Sequence, residues 1–158
     1  MKTTIFLGAM LSLLVCLMFT GCSNSETNST SRGLTDFAHI EEEYLATIDS
    51  LNWPDGITLP DKLEDEDTGA SFQVGYGETR ASYLWEYSWM KEWLDTYNTD
   101  PERAEKALED LEKAFDMPYM GIDRCDDATR NYLRENIDKA KLGDPSGFTE
   151  SIRANYAN

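Results

Sequence analysis

Trp85, Trp89, Trp93 and Tyr97 recur at every fourth position, and Tyr83, Tyr87, Met90 and Leu94 widen the apolar surface between them. At about 100° per residue on a helix, these eight side chains cover roughly 200° of arc. An amphipathic surface helix needs little more than about 100°. The spacing therefore predicts a helix over about 79–96 that is packed on several sides, or packed on one side with aromatics displayed on another. In both cases it is the central helix, and the other elements must be built around it.

Those elements are legible by the same reasoning. Leu34, Phe37, Ile40, Tyr44, Leu45, Ile48 and Leu51 recur at helical spacing, with Thr35 as the expected cap. Asn52-Trp53-Pro54-Asp55-Gly56 is turn chemistry and ends that helix. Residues 52–77 show no helical period. Residues 57–59 and the alternating stretch 71–77, with Phe72, Val74 and Tyr76 on one side, are expected to pair as a small hairpin or to lie along the helices. Between them, Asp61, Glu64, Asp65, Glu66 and Asp67 crowd into seven positions and read as a solvated loop. Asp100-Pro101 opens a helix with a capping Asp and a Pro at its first position. Its stripe is Ala104, Ala107, Leu108, Leu111, Ala114 and Phe115, with Glu102–Lys106 and Glu109–Lys113 as outward pairs. Asp126 or Asp127 starts another helix, with Tyr132, Leu133, Ile137 and Ala140 inward and Gly143 as its stop. Asp144-Pro145 starts a last short one through Phe148, Ile152 and Tyr156. The expected fold is mainly α: a small bundle of four to five helices with one extended or short β-hairpin insertion.

Charge limits what such a bundle can meet. The chain has 14 Lys and Arg against 30 Asp and Glu, a net charge of −16. Phosphate binding needs clustered Lys and Arg, so a nucleic-acid partner is excluded. Cations, basic peptides and basic proteins are the natural electrostatic partners.

The start of the chain carries a different kind of signal. Lys2 is followed by an apolar run over Ile5–Phe19, shorter than the roughly 20 residues of a spanning helix. It closes on Phe19-Thr20-Gly21-Cys22. This resembles the bacterial lipobox of lipoprotein signals, with Phe19 where the pattern prefers Leu. The resemblance covers these residues alone. It implies a signal peptide over 1–21, cleavage before Cys22 and a diacylglyceryl group on the Cys22 thiol. Two acyl chains hold a protein stably on a bilayer where one does not. The expected location is the extracytoplasmic face of the cell membrane. Residues 22–33 are the lipidated Cys and a polar tether without a large apolar side chain, and 34–158 form one acidic helical domain. Of the other cysteines, Cys16 lies in the signal and Cys125 is left without a partner.

The domain's chemical inventory is thin. His39 is the only histidine, no Ser sits in a Gly-x-Ser-x-Gly setting, and Gly75-Tyr76-Gly77 lacks a third Gly. Cofactors and a resident metal are not expected. Asp65-Glu66-Asp67-Thr68-Gly69 departs from a calcium loop at its fifth position, and Asp123, Asp126 and Asp127 read as helix-capping acids. Glu86 is the exception. On the helical wheel it falls between Trp93 and Tyr97, inside the aromatic arc, and its own helix offers it no cation. Buried there, it must take an Arg, Lys or hydroxyl from another element, with Arg103, Arg130 and Arg134 as candidates, or stay protonated. Trp85, Trp89 and Trp93 have two readings: core packing, or an exposed platform for carbohydrate or peptide.

The leading functional expectation is a membrane-tethered binding or interaction domain, anchored in the bilayer through Cys22. Its site residues would be Trp85, Trp89, Trp93 and Glu86, and its partner a basic protein, a peptide or a wall polymer. The alternative is an enzyme acting on cell-wall or extracellular polymer with a carboxylate such as Glu86 as acid or base.

Overall fold

The computed structural model describes residues 33–64 and 66–156, all within one unit of the chain, Arg32–Asn158. The expected signal, Cys22 and all but the last residue of the tether lie outside the described residues, as does Asp65. The architecture is mainly α. Five helices are described: α1 (Phe37–Ser50), α2 (Tyr76–Thr96), α3 (Pro101–Glu112), α4 (Asp127–Lys141) and α5 (Ser146–Asn155). Two short 3-10 turns, Lys113–Asp116 and Pro118–Met120, link α3 to α4. β1 (Leu34–Thr35) and β2 (Phe72–Gln73) form a minimal antiparallel pair.

α2 is the centre, with α1, α3 and α5 packed around it. One face joins Ala81 to Ile40, Tyr44, Ile48 and Leu63. The other carries Trp85, Trp89, Met90 and Trp93 into a larger cluster with Ala107, Leu111, Ala114, Leu133, Ile137 and Phe148. This two-sided packing is what the wide aromatic arc required. Both indole N–H groups of Trp85 and Trp89 donate to the carbonyl of Asn52, at 2.7 and 3.2 Å, so the turn after α1 is hooked onto α2.

Where α1 meets α2 the backbones touch. A Cβ on Gly77 would stand 1.8 Å from the Ile40 carbonyl oxygen, so only glycine fits there. α2 has no cap of its own, since Gly75 precedes it in the left-handed region at φ 87°. Glu43 of α1 supplies the cap, accepting from the N–H groups of Gly75 (2.8 Å) and Gly77 (3.2 Å). Arg124 closes the other side, donating to Glu78 at 2.8 Å and to the Gly75 carbonyl at 3.2 Å.

Several expectations are corrected. β2 pairs with Leu34–Thr35 (Thr35 opposite Phe72), not with residues 57–59. Thr35 is spent in that strand, and the α1 cap is Asp36, whose carboxylate accepts from the His39 N–H at 3.0 Å. Leu34 is accordingly outside the helix and 73% exposed. α2 begins at Tyr76, because the Glu43 cap organises the turn before Thr79. The acidic stretch 61–67 is not wholly solvated: Leu63 is buried, and Glu66 accepts from the Tyr76 hydroxyl at 2.8 Å. Lys106 and Lys113 do not pair outward with Glu102 and Glu109; both converge on Asp110. Tyr132 is 41% exposed instead of inward, for it stands at the rim of a cavity. Asp100 and Asp126 cap α3 and α4 as expected, accepting from Arg103 N–H (3.2 Å) and Thr129 N–H (2.8 Å). Gly143, at φ 78°, follows α4.

Candidate functional site

Glu86 sits midway along α2 and is 8% exposed. Its partner is a hydroxyl from another element: Tyr119, in the second 3-10 turn, donates to Glu86 Oε2 at 2.7 Å. That turn brings Tyr119 into the core because Pro118 fixes its first position and Tyr119 and Met120 are both buried. Tyr119 is held in place by an edge-on contact with Tyr83, ring centroids 5.6 Å apart.

Burial pushes the Glu86 carboxyl up to about 7, and the Tyr119 hydrogen bond opposes that shift without cancelling it. The Tyr119 hydroxyl is pushed upward too, by its own burial and then by the charge of Glu86, so it stays a donor. The arginines expected for Glu86 are engaged elsewhere. Arg103 forms a two-point pair with Glu92 (2.7 and 2.9 Å), Arg130 bonds Asp127 at 2.6 Å, and Arg134 lies over the Phe115 ring at 4.3 Å.

Beside Glu86 opens a cavity of about 470 Å³. α2 contributes Arg80, Tyr83 and Glu86, α4 contributes Thr129, Tyr132 and Leu133, and the α5 region contributes Ser151, Asn155 and Tyr156. Tyr156 is fixed by its hydroxyl, which donates to the Tyr83 carbonyl at 3.3 Å, and by its ring against Tyr87, 5.0 Å between centroids. A smaller cavity of about 270 Å³, toward Tyr44 and Leu63, shares the wall of Arg80, Tyr83 and Tyr156. Ligand cavities commonly hold some 300–1,000 Å³, so the larger one has room for one small molecule.

The tryptophans are elsewhere. Trp85, Trp89 and Trp93 are each 2% exposed, so the platform expectation is corrected for all three. The reason is the packing of α2: its aromatic arc faces neighbours on both sides, and Trp93 is stacked on Tyr97 and set edge-on to Phe148. The aromatics that line the cavity are Tyr83, Tyr132 and Tyr156. Cys125 is half-buried, with burial pushing its thiol up, the direction that disfavours thiolate. Among the described residues, no three His, Cys, Asp or Glu side chains are placed to hold a metal ion, and no helix is long and apolar enough to cross a membrane.

No protein-family model, no curated protein and no solved structure matches this chain. The structure defines a mainly α bundle with a cavity lined by Tyr83, Tyr132, Tyr156 and Glu86.

Proposed function

We propose that this chain is a lipoprotein held on the extracytoplasmic face of the cell membrane by a diacylglyceryl group on Cys22. Its domain is a binding module whose site is the cavity at Glu86. The support for the anchor is the apolar run closed by Phe19-Thr20-Gly21-Cys22. The observation that carries the binding reading is a buried carboxyl with a single hydrogen bond among the described residues, placed in the wall of a cavity. Proteins rarely leave such a group half-satisfied without a use for it.

The anchor is tested by growing cells with labelled palmitate: label enters the native chain and is absent from Cys22→Ala. Label in neither would remove the anchor. The site is tested by melting the protein with and without the small-molecule fraction of envelope extract. A ligand raises the melting temperature by mass action. Thr129→Trp plugs the cavity mouth from an exposed position and should abolish that rise. A rise that survives the plug, or no rise in the native protein, would remove the cavity as the site.

A second reading is an enzyme acting on wall or extracellular polymer. It is favoured by one observation, that a carboxyl poised at about 7 suits a general acid or base. Glu86→Gln would then abolish turnover without loss of binding.

A further inference from the structure

We propose that the Glu86 cavity takes a small organic cation, an ammonium group seated against Glu86 among the rings of Tyr83, Tyr132 and Tyr156. This rests on the cavity being a binding site and names what it binds. Tyr119 bonds Oε2, and no hydrogen bond reaches Oε1 from any described residue. A carboxylate more than nine-tenths buried thus presents one free acceptor to the space it lines.

The lining decides the sign of the occupant. Arg80 is its only cation among the described residues, and Glu66 already engages that guanidinium at 3.4 Å. An anion would meet Glu86 with no free counter-charge. A neutral ligand would bring no counter-charge and would leave the Glu86 carboxyl protonated below about 7. An ammonium group supplies the missing charge, and aromatic rings attract it as well. The surface works in the same direction, because a net charge of −16 raises the local concentration of cations.

The titratable and charged groups around Glu86 are Arg80 and Tyr83 on α2, Tyr119 in the 3-10 turn, Cys125 ahead of α4, Tyr132 on α4 and Tyr156 after α5. Burial pushes Tyr83, Tyr119, Cys125 and Tyr156 upward, away from ionisation near neutrality. Glu86 is then the group that changes charge when a cation arrives. Binding near pH 6.5 should release a proton from it.

The test is calorimetric titration of the full lipidated chain in detergent with three probes: choline, n-butylammonium, and 3,3-dimethyl-1-butanol, the uncharged isostere of choline. At least one ammonium is expected to bind at least tenfold more tightly than the isostere. Its heat at pH 6.5 should vary with the ionisation enthalpy of the buffer, as proton release requires. Glu86→Gln, checked for an unchanged fold by circular dichroism, should weaken ammonium binding at least tenfold and leave the isostere unaffected. An isostere as tight as choline, or unaltered ammonium affinity in Glu86→Gln, overturns the cation and keeps the cavity as a site. Binding of none of the three also overturns the cation, while the plugged Thr129→Trp variant judges the cavity separately.

Discussion

Asp110 on α3 and Glu86 on α2 are carboxylates with little exposed surface, 1% and 8%. Asp110 receives Lys106 at 2.6 Å, Lys113, and the Asn52 amide at 3.3 Å. Glu86 receives one tyrosine hydroxyl. Burial pushes Asp110 upward, but the bonds from Lys106 and Lys113 outweigh it and hold the carboxyl below its ordinary range. For Glu86 burial prevails, and the carboxyl rises to about 7. Low exposure alone therefore does not set the chemistry: Asp110 lies under two half-exposed lysines, whereas Glu86 lies deep between helices. The number and charge of the donors decide whether a buried acid serves as a structural tie or stays available.

The sharpest way to break this contrast is pH. In the unfolded chain Glu86 releases its proton near its ordinary 4.5, before the folded chain does at about 7. Stability from this group therefore falls as pH rises between those values and stays reduced above them. The reduction is about 3 kcal/mol. Glu86→Gln removes it while keeping an acceptor for Tyr119. The variant should match the native chain near pH 4.5 and exceed it by about 3 kcal/mol at pH 8 in urea unfolding. Parallel stability curves would show that Glu86 is ionised and compensated in the fold.

Asp110 should behave in the opposite sense. Its contribution is present above its unfolded range and is lost on acidification, because its folded carboxyl is held low. Asp110→Ala should destabilise by about 2 kcal/mol at pH 7, measured by the denaturation midpoint, and by less at pH 3. The figure is kept modest because both lysine side chains remain over half exposed, at 56% and 63%, and regain water when released. Tyr119→Phe tests the single donor of Glu86. It should cost about 1 kcal/mol and move the Glu86 titration, followed by carboxyl NMR shifts, above 7. The smallest effect belongs to Lys106→Met. One partner of Asp110 and a cation 5.0 Å from the Trp89 ring are lost, yet Lys113 and Asn52 remain. A change below about 1 kcal/mol in thermal melting is expected.

The parts of this picture that were legible in the sequence are those that a helical wheel or a capping rule addresses. The wide arc placed α2 at the centre, Asp100 and Asp126 marked the starts of α3 and α4, and the wheel put Glu86 among aromatics. A wheel gives direction but no distant partner. Tyr119 is 33 residues from Glu86 and arrives on a Pro-led turn that has no period to read. The strand pairing failed for the same reason. Two residues on each side carry almost no pattern, and Thr35 satisfied the rules for a cap as well as those for a strand. The Asp110 cluster was missed because Glu102–Lys106 and Lys106–Asp110 are both allowed helix spacings. Only the burial of Asp110 selects between them, since attraction strengthens where water is excluded.

The placement of the aromatic residues has an optical consequence. Trp85, Trp89 and Trp93 are sealed in the core, and Trp53 is tied by its indole N–H to the Ile48 carbonyl at 2.9 Å. The cavity beside Glu86 is lined by tyrosines and no tryptophan. The protein thus contains two unlabelled reporters: indole emission follows whether the chain is folded, and the change in near-ultraviolet absorbance of Tyr83, Tyr132 and Tyr156 follows what enters the cavity.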